Sequence, residues 1–251
     1  MTKYIQAGLA TILLSLPIGV IQAHDFWLEP DKFRPAPKES YSISLRQGVA
    51  FKGDTLPYIN DWFTDFSLVT QAGRAGIESI QGNDPAATLV ATPGAQLLGY
   101  QSVPVFVELE AAKFNSYLED EGIEFIKAER ERRGESDDPA PENFIRCAKA
   151  LIQTGPTGQS TYEAKLGYTL ELIPQSDPYE LKTGDELGFE LLFRDEPIEG
   201  LQLQAFTREQ PDSIQKIRTD PNGMATINID RPGVWLVKVV QIIPIRGRPQ
   251  T

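Results

Sequence analysis

His24 is the only histidine in the 251-residue chain, and it stands between Ala23 and Asp25 at the end of an apolar run. If the chain is cut after Ala23, His24 becomes the first residue. It then offers two nitrogen donors, its α-amine and its imidazole Nδ1. Together these close a six-membered chelate ring on one metal ion, and because both sit on one residue little further ordering is needed. A free α-amine titrates near pH ~8, so a metal can displace its proton close to neutrality. Nitrogen donors suit nickel, copper, cobalt and zinc, with affinity rising toward copper. Asp25 and Glu29 are the nearby candidate oxygen donors, and Phe26 and Trp27 are candidate anchors that would hold the arm against a core.

Other chemistries are poorly supplied. The chain has no GxSxG elbow, no HExxH, no Walker loop and no GxGxxG fingerprint. A histidine-based triad needs a histidine beside its nucleophile, whereas His24 lies in a proline-flanked terminal segment, so the chain is not expected to be an enzyme. A copper brace on a β-sandwich would need a second histidine. Cys147 is the only cysteine, which leaves no intramolecular disulfide and no thiolate zinc cluster. The net charge of −11 repels phosphate backbones, so no nucleic-acid partner is expected. It does not repel cations. The charge run Glu135–Pro139 reads as a solvated loop.

The exposure of His24 depends on a leader. Lys3 gives a basic start, Ala7 to Val20 forms an apolar core, and Ala23 is a small residue suited to the position before a cut. Residues 1–23 therefore read as a signal peptide, with a periplasmic or secreted mature protein. The apolar run falls short of the ~20 residues that a spanning helix needs, so no stable membrane insertion is expected after processing. An uncleaved anchor is the competing reading, and it would leave His24 without a free amine.

The elements that must position the arm are mostly strands. Three prolines in FWLEPDKFRPAPKES predict an irregular, extended segment after the leader. Tyr41–Arg46, Phe66–Thr70, Ala87–Thr92 and Leu97–Leu109 read as strands, the last interrupted at Pro104. The period then changes. AAKFNSYLEDEG and IEFIKAERERRG carry helical spacing with glycine stops, and PENFIRCAKALIQTG places Phe144, Cys147, Ala148 and Leu151 at helical intervals, with Cys147 as a small core residue. After the loop Gly155–Thr161, strand rhythm returns in YTLELIP, LGFELLF and LQLQAF, and IQKIRTDPNGMATINI reads as a hairpin or a turn-linked pair with Asn222–Gly223 in the bend. The expected fold is mainly β: two immunoglobulin-like β-sandwich domains with a helical insert between them. Residues 24–155 form the first domain, with the insert at about 110–153. Residues 162–245 form the second, which also fits a carboxypeptidase-regulatory-like sandwich.

AHDFWLEP followed by FRPAP, then FNSYLEDEGIE, RGES, CAKALIQTG, LELIPQSDPYELKTGD, TDPNGMA and GVWLVKVV occur in this order through most of the mature chain. The series resembles the NikM-like family of bacterial periplasmic proteins, linked to nickel or cobalt uptake and largely a domain of unknown function. The resemblance implies a mature chain that begins at His24 and binds a metal ion there. Nickel or cobalt would be the cargo, with copper or zinc as alternatives, and a membrane metal importer would be the partner. The chain departs from the pattern at Gln241, in the region where the family commonly carries a histidine. The alternative is a non-metal ligand- or protein-binding sandwich module, with Trp27, Trp62 and Trp235 as candidates for its surface.

Overall fold

The computed structural model describes residues 25–158 and 160–244. The leader, His24 and the closing GRPQT lie outside the described residues. The chain is mainly β and its sheets are antiparallel, as the alternating segments predict.

Two sheets enclose the first core. One joins Asp25–Pro30, Ser40–Val49 and Lys52–Leu56, with Ala87–Val90 paired to the long strand. The other runs in the order Cys147–Thr154, Gly94–Ser102, Phe63–Thr70, Gly73–Gly76. Leu28, Tyr41, Ile43, Leu45, Phe66, Leu98, Tyr100 and Ile152 fill the space between them. Two further sheets enclose a second core of Leu187, Leu191, Leu203, Ala205 and Ile227. Glu186–Phe193 is the centre of one, pairing with Leu170–Pro174 and Met224–Asn228. Gln202–Thr207 is the centre of the other, between Gln210–Arg218 and Trp235–Lys238.

A smaller hairpin, Val105–Leu109 with Ala140–Phe144, carries helices α1 (Ala111–Asp120) and α2 (Glu124–Arg133) between its strands. Phe114, Leu118, Ile123 and Ile126 pack onto Leu109 and Ala140 as a third core, which Val240 and Ile242 of the C-terminal tail also touch. Gly134 ends α2 with a left-handed φ of 71°, the conformation that favours glycine at this position. Glu129 pairs with Arg133 at 2.7 Å, as the four-residue spacing predicts.

One expectation needs correction, and two others hold in part. The helical insert ends at Arg133, and PENFIRCAKALIQTG forms two strands instead. Its apolar residues fit a helical period because the strand Cys147–Thr154 is covered on both faces. Ala148, Ala150 and Ile152 pack into the first core, while Cys147 and Leu151 meet Leu97, Leu166 and Tyr168. A strand buried on both sides loses the polar alternation that would identify it. Cys147 is half-buried, and burial pushes its thiol up, away from a reactive thiolate. Next, the segment after the leader is extended as expected but irregular only in part: Asp25–Pro30 is a regular strand paired with Ile43–Gly48, and the bends and turns fall in 31–39. Finally, of the two readings of the segment around Asn222–Gly223, the turn-linked pair holds and the hairpin does not. The flanking strands join different sheets, so the turn carries the chain across the second core.

The two sheet pairs are tied together by buried polar groups. Lys149 Nζ donates to Glu171 Oε1 (2.8 Å) and to the Ala164 and Leu172 carbonyls (3.0 and 3.2 Å). Glu171 also accepts the backbone N–H groups of Leu166, Gly167 and Tyr168. Gly99 keeps this seam closed, because a Cβ there would lie 2.3 Å from the Tyr168 hydroxyl. The Tyr179 hydroxyl sits 2.9 Å from the Phe33 carbonyl and 2.8 Å from that of Leu151, able to donate to one at a time. Tyr179→Phe removes that donor and is expected to cost about 1–2 kcal/mol. Urea unfolding would read this as a lower midpoint, and an unchanged midpoint would show that the contact is dispensable.

Candidate functional site

The first strand faces both halves of the molecule. Phe26 and Leu28 enter the first core, while Asp25, Trp27 and Glu29 point the other way by the two-residue alternation of a strand. Trp27 is buried, with its ring 5.9 Å from that of Phe51, which in turn lies 5.8 Å from Phe206 of the second sheet pair. Phe26 and Trp27 thus anchor the strand on its two sides.

At the start of this strand, Lys238 Nζ bridges two carboxylates. It lies 2.8 Å from Asp25 Oδ1 and 2.6 Å from Glu121 Oε1. Lys238 ends the strand Trp235–Lys238, and Glu121 caps the C-terminus of α1. The bridge therefore joins the first strand, the helical insert and the second sheet pair. The other oxygen of Glu121 accepts a hydrogen bond from Gln204 Nε2 at 3.0 Å, and the same amide nitrogen also donates to the Asp120 carbonyl at 2.8 Å. Burial raises the pKa of Glu121 despite the Lys238 ammonium beside it. Burial works against the charge on Lys238, but Asp25 and Glu121 outweigh it and the net shift is upward. Tyr117 of α1 lies near Glu142, Glu121 and Asp25, and its phenol is pushed up, first by burial and then by these anions. Burial also pushes the Glu142 carboxyl up to about 7, against the pull of Arg130.

These groups open onto a large cleft of about 2570 Å³ between the two sheet pairs and the helical insert. Asp25, Tyr117, Glu121, Glu142, Lys238 and Gln241 all line it. Gln241 Oε1 is buried without a hydrogen-bond partner. Of the three tryptophans, Trp27 and Trp235 line the cleft, whereas Trp62 sits in a 3-10 turn and is exposed.

The expected oxygen donors separate. Four residues along a strand span roughly 13 Å, too far for the Asp25 and Glu29 carboxylates to meet on one ion. Glu29 is also occupied: Arg208 lies 3.0 Å and Arg46 3.4 Å from its oxygens, and the Trp27 indole donates to it at 2.8 Å. Two guanidinium groups beside a carboxylate oppose a further cation. The structure brings Asp25 together instead with Glu121, which sequence reasoning did not single out. Glu121 carries no local signal, because only tertiary packing places the end of α1 against the first strand. Among the described residues, no cluster of three or more histidine, cysteine, aspartate or glutamate side chains could hold a metal ion by itself. No described helix is long and apolar enough to cross a membrane.

What the arrangement does chemically is hold a cation between two buried carboxylates at the point where the first strand begins. A family model described as "Domain of unknown function (DUF4198)" matches residues 21–242. No curated protein matches the chain.

Proposed function

The chain belongs to the DUF4198 family, a domain of unknown function, and from that premise we propose that it is a periplasmic or secreted metal-handling protein. In this reading it captures nickel or cobalt through His24 as the first residue of the mature chain, with the ion as cargo for a membrane importer. No bond chemistry is required, so the protein is not an enzyme. The two sheet pairs, each with its own core, serve as two immunoglobulin-like sandwiches that carry the arm.

The observation that supports this reading is the Asp25–Lys238–Glu121 bridge. His24 is one peptide bond from Asp25, and Asp25 is already held, with Glu121, around a positive charge. An amine and an imidazole at residue 24 would add nitrogen donors beside oxygen donors that converge on a cation, a mixed set that suits borderline metals. The ordered strand behind Asp25 would limit the entropy lost on binding. Asp25 is then the oxygen donor of choice and Glu121 its neighbour, while Glu29 acts as a structural anion. Lys238 opposes the ion at Asp25 as Arg46 and Arg208 do at Glu29, so the ion must displace one ammonium at Asp25, where at Glu29 two guanidinium groups would have to move.

The test is nickel titration of the exported, processed protein by calorimetry, with its first residue identified by mass spectrometry. His24→Ala is expected to weaken nickel or cobalt binding tenfold or more. Equal affinities in the two proteins, or a mature chain that starts elsewhere, would reject the proposal.

A further inference from the structure

The same cleft contains an arginine whose charge the protein leaves unanswered. Arg146 lies in the short link between the strands Ala140–Phe144 and Cys147–Thr154 and lines the cleft. Its backbone is fixed from both sides. Its N–H donates to Ser102 Oγ at 2.9 Å, and its carbonyl accepts from the Ser102 N–H at 2.9 Å. The guanidinium carbon lies 4.7 Å from the Phe144 ring centre and 5.6 Å from that of Phe26. One side-chain bond is made, from Nη2 to Gln47 Oε1 at 3.3 Å.

The other half-buried arginines each face a carboxylate or a pair of carbonyls, although Arg46 Nε, Arg130 Nε and Arg208 Nε and Nη2 are buried without a hydrogen-bond partner. Arg46 and Arg208 pair with Glu29, and Arg231 pairs with Asp230. Arg130 donates to the carbonyls of Glu135 and Asp138, each at 2.6 Å. Among the described residues, Arg146 has neither a carboxylate partner nor a pair of carbonyls. Its remaining nitrogens are not sealed inside the protein. Burial lowers its pKa, which marks a charge partly stripped of water. Cation–π contacts return about 0.5–2 kcal/mol each, but they satisfy none of the N–H donors.

We propose that Arg146 anchors a subsite for a small amphipathic monocarboxylate in the cleft between the two sheet pairs. A guanidinium presents a planar fork that a carboxylate meets with two parallel hydrogen bonds. Phe144 and the exposed Ile145 beside it offer apolar surface to the ligand body. Acidic and basic side chains line the cleft in equal number, so the preference for a carboxylate over phosphate rests on the planar fork and on the apolar surface of Phe144 and Ile145, which inorganic phosphate has no body to cover. The subsite is separate from the Asp25–Lys238–Glu121 bridge and stands whether or not the protein carries metal.

The experiment is calorimetric titration of the full chain, stripped of metal on a chelating resin, with butyrate, benzoate and inorganic phosphate. A carboxylate is expected to bind with a dissociation constant at or below the millimolar range, and phosphate at least tenfold more weakly. Arg146→Gln is expected to weaken the carboxylate tenfold or more. Arg146→Lys, which keeps the charge and loses the fork, is expected to weaken it several-fold. If Arg146→Gln does not fold, Gln47→Leu serves in its place and is expected to weaken binding several-fold by freeing the guanidinium. No heat from either carboxylate, equal binding of phosphate, or unchanged affinity in a folded variant would overturn the assignment. Because metal is absent throughout, failure here leaves the nickel reading standing, and failure of that reading leaves this one.

Discussion

Lys238→Met is expected to destabilise the folded protein by about 3–5 kcal/mol at pH 8, the usual cost of removing one partner from a buried ion pair. The reason is what remains. Asp25 and Glu121 keep 11% and 8% of their side-chain surface in water, and without the ammonium two desolvated carboxylates face each other. Glu121 retains its bond from Gln204, but that single amide does not replace a charge. The loss should shrink as the pH falls, because burial already holds the Glu121 pKa up and a proton can then neutralise it. Urea unfolding at pH 8 and pH 5 measures both effects. A variant that also carries Asp25→Asn and Glu121→Gln is expected to recover most of the loss, since removing all the charges avoids the unpaired state. A loss under about 1 kcal/mol at pH 8 would show that the bridge is not buried enough to matter.

Glu142→Gln is expected to act in the opposite direction and only at high pH. The Glu142 carboxyl titrates at about 7 in the folded chain, against an ordinary value of 4.5. Its folded pKa is raised, so the folded state binds the proton more tightly than the unfolded state. Its contribution to stability is therefore complete below about pH 4.5 and is lost as the pH rises through 7. A shift of that size corresponds to about 3–4 kcal/mol, at ~1.4 kcal/mol per pH unit. Glutamine keeps the shape and cannot ionise. The variant should match the wild type near pH 4.5 and exceed it by about 3 kcal/mol at pH 8. The check is a pair of urea midpoints at these two pH values. Equal gains at both would mean that charge is not the cause.

Those two residues show how differently the chain discloses its parts. The strands Ser40–Val49, Phe63–Thr70 and Glu186–Phe193 were legible because one face of each alternates with the other, and a period of two survives without knowledge of neighbours. Helices α1 and α2 were legible for the same reason at their own period, with Gly122 and Gly134 marking the stops. The strand Cys147–Thr154 was not legible, because both of its faces are covered and its helical spacing was a coincidence of apolar content. The first strand was hidden by its flanking prolines, although Pro30 ends the strand and Pro35 and Pro37 fall outside it.

The sequence by itself determined the mainly β character, the position of the helical insert's start, the single histidine and the acidic balance. These are local or compositional properties, carried by each segment before it meets another. Only the tertiary structure decided that Asp25 meets Glu121 and Lys238, that Glu29 is held by Arg46 and Arg208, and that Arg146 is left without an anion. Each of these pairings joins residues about 20 to more than 200 positions apart, and no periodicity encodes them. They follow from which sheet faces close on one another, and that is set by the packing of whole cores.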